Sequence, residues 1–257
     1  MQAFTALPVE GLPEIHSGQD LPALLLEALA ARGEAFQEGD VLVCAHKIVS
    51  KAEGRVVRLS DVRPGERARE LAGRTGKPAA LVQLVLDESA EVVAVKNRIL
   101  MCRHRLGWTC ANAGVDQSNG PDGETAVLLP LDPDASAARL GRALEERAGA
   151  RVAVIVADTH GRPLREGIVG VALGCYGLSP LKSYIGRVDR NGRRMAVTQE
   201  AVADELASAA SLLMGQGDEG VPAVVIRGYR VPSAGGEEGS APLRRAPERE
   251  VFLPAGD

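Results

Sequence analysis

The stretch RVAVIVA at residues 151–157 is apolar after its first residue and rich in β-branched side chains. A continuous apolar run of this kind is typical of a strand that is buried on both faces of a sheet. The polar segment DTHGRPLR follows at once, at residues 158–165. We therefore predict a central strand that ends in a polar, glycine-containing segment, and strand ends are where α/β proteins tend to build ligand sites.

Other strands and helices surround this strand without the regular alternation of a doubly wound fold. We predict strands at 41–45, 92–95, 99–102 and 223–226, helices at 79–86 and 135–147, and two helices that begin at Asp20 and Thr198. The fold class is therefore α/β to α+β, with mixed sheets, flanking helices and no Rossmann unit. We expect one domain over residues 1–257, in which residues 232–247 form an exposed loop or mobile tail because they are rich in Gly, Ser, Glu and Arg.

The composition argues against several classes of protein. A formal net charge of −4 and a pI near 5.7 disfavour a nucleic-acid binder, because phosphate neutralisation needs clustered Lys and Arg. The four cysteines are scattered without a CxxC pair, as expected in a reducing compartment. The N-terminus lacks the pattern of a signal peptide, and no stretch of about 18 apolar residues predicts a membrane span. We expect a cytoplasmic protein that binds neither nucleic acid nor a membrane.

The polar segment HKIVSKAEGR, residues 46–55, follows the predicted strand at 41–45. Its lysines, including Lys51, are suited to neutralise phosphate oxygens as flexible point charges. The alternative is a solvated loop that joins a strand to a helix. Both interpretations stay open from the residues alone.

A second polar segment, CANAGVDQSN, covers residues 110–119. Asp116 supplies a hard oxygen ligand of the kind that Mg²⁺ or Mn²⁺ prefers, and Asn119 can donate and accept hydrogen bonds. Small residues and a glycine let the backbone approach a ligand closely. An Asx turn explains the same letters equally well.

The third segment is DTHGRPLR itself. Asp158 beside Thr159 suits a magnesium–phosphate site, and Arg162 and Arg165 suit a phosphate or a carboxylate. Aspartate and threonine after a strand are also common as turn or helix caps. No GxxxxGK[ST] motif and no GxGxxG between a strand and a helix is present, so a nucleotide site here would be an unusual one.

These segments occur in an order that resembles the F420-0:γ-glutamyl ligase family, also called coenzyme F420:L-glutamate ligases. The resemblance covers about residues 6–230 and rests on GLPEI at 11–15, HKIVSKAEGR, LVQLVLDESAEVV at 81–93, CANAGVDQSN, DTHGRPLREG and AVADELASAASLLMGQGDEGVPAVVIRG at 201–228. It implies a family-specific fold that forms an intertwined homodimer. It also implies a GTP-dependent ligase that attaches L-glutamate through amide bonds to the lactyl phosphodiester side chain of F420-0. Two divalent ions, Mg²⁺ or Mn²⁺, and K⁺ as an activator are implied as cofactors.

The resemblance also implies roles for individual residues. The guanine nucleotide is expected against Leu12, Pro13, Glu14, Ile15, His46, Lys51, Asn119 and Met214. The metal ligands are expected to be Asp116, Asp158, Thr159 and Gln216. Lys51, Arg162 and Arg165 are expected to act in catalysis, by offsetting phosphate charge and orienting a substrate carboxylate. Without metal, we expect the carboxylates of Asp116 and Asp158 to repel each other.

Four positions depart from the pattern of the family. His46 replaces a small hydroxyl residue, Gln216 replaces an acidic one, and His160 and Leu164 replace aromatic ones. The first three departures bear on nucleotide contacts and metal affinity, and Leu164 bears on the acceptor pocket. Two alternatives therefore stay open: a homologous ligase that acts on another acceptor such as a folate, and a non-catalytic guanine-nucleotide-binding protein. The intact pair of aspartates disfavours the second.

Overall fold

A computed structural model of the protein describes residues 3–117, 124–232, 239–246 and 249. The strands of these residues are β1 (Thr5–Pro8), β2 (Asp40–Ala45), β3 (Val56–Arg58), β4 (Ser89–Lys96), β5 (Ile99–His104), β6 (Thr109–Ala111), β7 (Thr125–Val127), β8 (Val152–Arg162), β9 (Arg165–Tyr176), β10 (Lys182–Ser183), β11 (Gln199–Glu200) and β12 (Ala223–Arg227). The α-helices are α1 (Leu21–Ala30), α2 (His46–Ala52), α3 (Glu66–Thr75), α4 (Ala79–Glu88), α5 (Pro133–Ala148) and α6 (Val202–Met214). Several sheets mixed with helices confirm the coarse prediction of an α+β protein.

The largest sheet has five strands in the order β1-β12-β2-β8-β9. Strands β2 and β8 are parallel neighbours at its centre, and the remaining pairs are antiparallel. Alternate residues of the central strands point to opposite faces, so Leu42 and Cys44 pack with α1, α2 and α5, whereas Val41 and Val43 pack with α6. The apolar run at 151–157 is a central strand because both of its faces are covered, as predicted.

Residues 56–117 and 124–128 pack around a separate hydrophobic cluster. The cluster includes Leu71 of α3, Val82 of α4, Leu100 of β5 and Val115. Strands β3 and β7 form one small sheet here, and β4, β5 and β6 form another. We call this part of the chain the insertion, because it lies in sequence between α2 and α5. It carries Asp116, whereas Asp158 belongs to the central sheet.

Two glycines of β9 allow the helices to approach the sheet closely. A Cβ atom at Gly170 would lie 2.4 Å from the carbonyl oxygen of Ala207 in α6, and one at Gly174 would lie 2.2 Å from that of Pro133 in α5. The sequence pattern gave these glycines no role. Their role in the structure is close packing of a helix on each face of the sheet.

Several predicted element boundaries are confirmed and three are corrected. Asp20 caps α1, since its Oδ1 accepts a hydrogen bond of 3.2 Å from the backbone N–H of Ala23. The segment at 46–52 is helix α2 and not a loop, and β8 continues through Asp158 to Arg162 instead of ending at residue 157. Helix α6 begins after Ala201 and not at Thr198.

The expected exposed tail is wrong for part of its length. Ser240 is fully buried, and its backbone N–H and hydroxyl both donate hydrogen bonds to Asp134 at the start of α5. Arg244 donates a hydrogen bond to the carbonyl oxygen of Leu106 and lies over the ring of Trp108. The described residues 239–246 therefore join the central sheet region to the insertion. Within the described ranges, no helix is long and apolar enough to cross a membrane.

Candidate active site

A cleft of about 490 Å³ opens at the end of the central sheet where β2 leads into α2. Pro222, which precedes β12, and Ala157 of β8 lie at the same end of the sheet. The volume falls in the range of about 300–1,000 Å³ that is usual for small-molecule sites. The other walls come from Leu12, Pro13, Glu14 and Ile15, from Asp116 of the insertion, and from the C-terminal turn of α6 with the loop that follows it.

Asp158 lies in the floor of this cleft between two histidines. Its Oδ1 is 3.6 Å from Nε2 of His46, the first residue of α2, and its Oδ2 is 3.3 Å from Nε2 of His160. The register of β8 and β9 shifts between Val156 and Ala157, directly before this site. Such bulges re-aim side chains next to functional sites.

The two histidines are in different charge states because their surroundings differ. Burial lowers the pKa of His46 and outweighs the opposing charge of Asp158, so this ring is neutral at neutral pH. Burial also acts to lower the pKa of His160, but the adjacent carboxylate of Asp158 and the neighbouring thiol of Cys110 raise it to about 10. His160 Nε2 has no well-aligned hydrogen-bond acceptor among the described residues. The contact with Asp158 is therefore mainly an ion pair.

The carboxylate of Asp158 is strongly stabilised in its ionised form. Burial alone would raise the pKa of Asp158, but His46, His160 and the backbone N–H of Thr159 lower it to about 2. Mutual repulsion with Asp116 would have raised the pKa instead. Each carboxylate has a cationic neighbour of its own, Lys47 for Asp116 and His160 for Asp158, so the expected repulsion between the two aspartates does not set the pKa of Asp158.

Asp116 reaches the cleft from an unusual backbone turn. Asn112, Ala113 and Gly114 have consecutive positive φ angles of 52°, 50° and 68°. Asp116 then forms a single antiparallel bridge to Val127. Its Oδ2 lies 2.7 Å from Nζ of Lys47 in α2.

Two further contacts join residues that are distant in the chain. Nζ of Lys51, a side chain that is only 9% exposed, lies 2.5 Å from Oε1 of Glu14. Thr159 Oγ1 donates a hydrogen bond of 3.3 Å to Oε1 of Gln216 in the loop after α6. The nucleotide-binding residues and metal ligands expected from the resemblance thus line one cleft, apart from Asn119, which lies outside the described residues: Leu12, Pro13, Glu14, Ile15, His46, Lys51, Asp116, Asp158, Thr159, Met214 and Gln216.

Arg162 and Arg165 do not line the cleft. They face each other across the turn between β8 and β9, where Arg162 donates a hydrogen bond to the carbonyl oxygen of Glu166 and Arg165 is exposed. Their position follows from the length of β8. Because β8 continues past Asp158 instead of ending there, Arg162 at its end and Arg165 at the start of β9 lie away from the cleft.

Two features of the site were not singled out from the sequence: Lys47 as an individual residue, and the glycine pattern of the loop that carries the expected ligand Gln216. Lys47 follows His46 directly, so the same segment could have revealed it. The loop at 215–220 reads GQGDEG, which is a GxGxxG pattern, but it follows a helix and precedes a strand. That order is the reverse of a dinucleotide-binding unit, and a search in the usual context therefore passes over it.

The donor atoms of the cleft suit hard divalent ions. Two carboxylates, the Thr159 hydroxyl and the Gln216 amide oxygen are all oxygen ligands of the kind that Mg²⁺ and Mn²⁺ prefer. Both carboxylates also have a cationic neighbour in this structure, Lys47 for Asp116 and His160 for Asp158. Over the described ranges, no group of three or more His, Cys, Asp or Glu side chains is arranged to hold a metal ion. A complete coordination shell would therefore need oxygen atoms of substrate and water.

Comparison with known proteins identifies the family of the chain. The sequence model of the family F420-0:Gamma-glutamyl ligase matches residues 11–228. The chain belongs to this family. It is 48% identical over 249 residues to the coenzyme F420:L-glutamate ligase of Methanothermobacter thermautotrophicus, covering 97% of this chain and 98% of that protein. The ligase of Archaeoglobus fulgidus is 47% identical over 245 residues, with 95% and 94% covered. That of Methanopyrus kandleri is 43% identical over 258 residues, with 98% and 100% covered. Membership of the F420-0:γ-glutamyl ligase family thus extends over nearly the whole chain.

Proposed function

We propose that this protein is an amide-forming ligase that adds L-glutamate to coenzyme F420-0 at the expense of GTP. The relatives named coenzyme F420:L-glutamate ligase, which match almost end to end, support the acceptor and the amino acid. The observation that carries a phosphate-based mechanism is the meeting of Asp116, Asp158, Lys47 and Lys51 in one cleft. Paired carboxylates for cations beside lysines for phosphate oxygens are the parts that phosphoryl transfer needs.

The proposed reaction has two steps. A carboxylate oxygen of the acceptor attacks the γ-phosphorus of GTP, the bond to the β-phosphate oxygen breaks, and GDP leaves with an acyl phosphate remaining. The amino nitrogen of glutamate then attacks the acyl carbon, the carbon–oxygen bond to phosphate breaks, and inorganic phosphate and a proton are released. The protein's task is positioning and charge neutralisation, since no covalent bond to a side chain is required.

The roles of the residues follow from their positions. Lys51 and Lys47 offset phosphate charge, and exchange their present partners Glu14 and Asp116 for substrate oxygens. The purine is expected beside Leu12, Pro13, Glu14 and Ile15, with neutral His46 at the inner end of the cleft. Two Mg²⁺ or Mn²⁺ ions held by Asp116, Asp158, Thr159 and Gln216 would supply positive charge to the phosphate oxygens, with K⁺ as an activator. We assign no role in this chain's own cleft to Arg162 and Arg165.

One assay separates the candidate functions. The protein is incubated with L-glutamate, Mn²⁺, K⁺ and either GTP or ATP, together with F420-0 or dihydrofolate, and the products are measured by mass spectrometry. Glutamylated F420-0 formed with GTP is the expected result. Glutamylated folate alone would establish the homologous ligase on another acceptor. GTP binding without any product would establish a nucleotide-binding protein.

We also propose that the protein is a homodimer. Two exposed segments carry large apolar side chains: Leu164, 95% exposed, with Ile168 at the β8–β9 turn, and Ile185, Val188 and Val197, the last 83% exposed, between β10 and β11. The second segment also carries Arg187, Arg190, Arg193 and Arg194, although the whole chain has a net charge of −4. A second copy of this acidic chain complements it in charge. We expect light scattering to give a dimer at micromolar concentration with an interface on the order of 2,000 Å². The cytoplasmic location stays a prediction.

A further inference from the structure

The loop at residues 215–220 forms one wall of the cleft, and all but one of its residues line it. Gly215, Gln216, Gly217, Asp218 and Gly220 face the cleft, whereas Glu219 does not. The loop connects α6 to the approach of β12 and contains the amide oxygen that accepts a hydrogen bond from Thr159. A glycine-rich loop of this kind needs some contact to fix its shape, because glycine adopts many backbone conformations.

The carboxylate of Glu219 supplies such a contact within the loop. Its Oε2 accepts a hydrogen bond of 2.8 Å from the backbone N–H of Gly217. The backbone N–H groups of Glu219, Gly217 and Gln216 together lower its pKa, so the side chain is an anion held by backbone donors. The loop is folded around one of its own side chains.

Gly215 leaves the space that this carboxylate occupies. A Cβ atom built on Gly215 would lie 2.0 Å from Cδ and 2.2 Å from Oε1 of Glu219. No other residue type can stand at 215 while Glu219 keeps its position. The position of the Glu219 carboxylate therefore depends on a glycine at 215.

We propose that Glu219 is a positioning residue that holds the 215–220 loop in the shape that presents Gln216 to Thr159. The proposal rests on the proposed function, because Gln216 and Thr159 are among the groups assigned to the metal ions. Glu219 is exposed and does not line the cleft, so it acts through the backbone of the loop. Its contribution is to fix the backbone, so that the amide oxygen of Gln216 needs no ordering when substrate arrives.

The direct test needs no ligand. Hydrogen exchange of the Gly217 amide is followed by NMR in the full-length protein, in wild type, Glu219→Ala and Glu219→Gln. Glu219→Ala should speed this exchange about tenfold, because a charge-assisted hydrogen bond is lost. Glu219→Gln should recover part of the protection, since its amide oxygen still reaches the same N–H. Unchanged exchange in Glu219→Ala would overturn the proposal.

The glycines of the loop provide a matched pair of variants. Gly215 and Gly220 both have φ of 68°, but an added Cβ meets Glu219 only at Gly215 and has nothing within 4 Å at Gly220. Gly215→Ala should therefore speed exchange at Gly217 as Glu219→Ala does, and Gly220→Ala should not. Equal effects of the two variants would mean that backbone strain alone matters, and would overturn the role of the carboxylate.

The catalytic consequence is measured separately. In the ligase assay with F420-0, Glu219→Ala should raise the Mn²⁺ concentration for half-maximal rate about tenfold, as for the loss of one hydrogen bond to a charged group, with a smaller change in kcat. Glu219→Gln should lie between this variant and wild type. A fall in kcat alone would contradict a positioning role. If wild type makes no product, the proposed function fails, whereas the exchange result still decides the structure of the loop.

Discussion

Asp158 lies in the central sheet, whereas Asp116 lies at the end of an irregular turn of the insertion, and both carboxylates reach one cleft. Asp158 is fixed by β9, which pairs with its strand β8. Asp116 is fixed by one bridge to Val127 and by a turn with three positive φ angles. Non-glycine residues with positive φ cost about 1 kcal/mol or more each. One half of the site is thus built on regular structure and the other half on strained structure.

The two aspartates also have different neutralising partners. Asp158 faces His46 of α2 and His160 of its own strand β8, and His160 also contacts Cys110 of the insertion. Asp116 faces the flexible side chain of Lys47. The difference suggests that Asp158 contributes to the stability of the protein and to its activity, whereas Asp116 contributes mainly to activity.

The largest expected effects are on turnover. Asp158→Asn and Asp116→Asn should each reduce kcat by about a thousandfold or more, since each removes a carboxylate assigned to cation binding. Only Asp158→Asn should also lower the thermal unfolding temperature in EDTA at pH 6, because it leaves His160 charged without its partner. Equal unfolding temperatures of the two variants would contradict the inference that only Asp158 contributes to stability. Normal turnover in either would remove that residue from the site.

The strained turn can be tested at Gly114. Gly114→Ala places a Cβ at positive φ and 2.8 Å from Leu129, so we expect the free energy of unfolding to fall by about 2–3 kcal/mol. Gly161→Ala in β8 is the control, since that φ is not positive and nothing lies within 4 Å of the added atom. Urea unfolding of both variants makes the comparison. Similar losses would show that the insertion is no more strained than the sheet.

Replacing Lys51 of α2 should have a smaller effect, confined to nucleotide binding. Lys51→Ala should weaken GTP binding by about 2 kcal/mol in calorimetry, the size of a lost charge-assisted contact. Lys96→Ala, an exposed lysine of β4 that does not line the cleft, is the control. Unchanged GTP affinity in Lys51→Ala would leave Lys51 as no more than the partner of Glu14.

The ion pair of Asp158 and His160 predicts a pH dependence in the metal-free protein. The pKa of His160 is raised to about 10 on folding, so its stabilisation is complete below about pH 6.5 and is lost as the pH rises through 10. The pKa of Asp158 is lowered to about 2, so its stabilisation is present above about pH 4 and is lost as the pH falls through 2. The difference in unfolding free energy between wild type and His160→Gln should be about 1–2 kcal/mol at pH 5–6 and should approach zero at pH 10. A difference that grows with pH would contradict the ion pair.

The sequence predicted the elements of the central sheet better than the parts of the site that lie outside it, for physical reasons. Apolar runs at 41–45, 151–157 and 223–226 predict buried strands, because a strand that is covered on both faces needs apolar side chains on both. Helix α2 was missed because its polar residues looked solvated. The charge of Lys51 is buried beside Glu14, and the neutral ring of His46 is buried beside Asp158, and both partners lie far away in sequence. Pairing of that kind is a property of the fold.

The positions of the aspartates show the same limit. The resemblance to the family implied that both aspartates belong to one site. It did not indicate the backbone conformation that holds Asp116. Ala113 has positive φ, which alanine rarely adopts, and nothing in the letters NAG indicates it. The end of β8 was also placed too early, because DTHGR has polar side chains although its backbone pairs with β9.

The smallest effect on turnover is expected at the turn between β8 and β9. Arg165 is exposed at the β8–β9 turn and outside the cleft, so Arg165→Ala should change turnover by no more than a surface substitution does, about 0.5 kcal/mol in transition-state free energy. Arg162→Lys is the companion variant, since lysine keeps the charge but loses the guanidinium group that binds the Glu166 carbonyl. The measurement is kcat/KM for F420-0 and for GTP separately. A large rise in KM for F420-0 alone would mean that this turn binds the acceptor in the cleft of a second copy, because it does not reach its own cleft. Strands β8 and β9 would then contribute to two clefts: to their own through Asp158, and to that of a second copy through the turn that joins them.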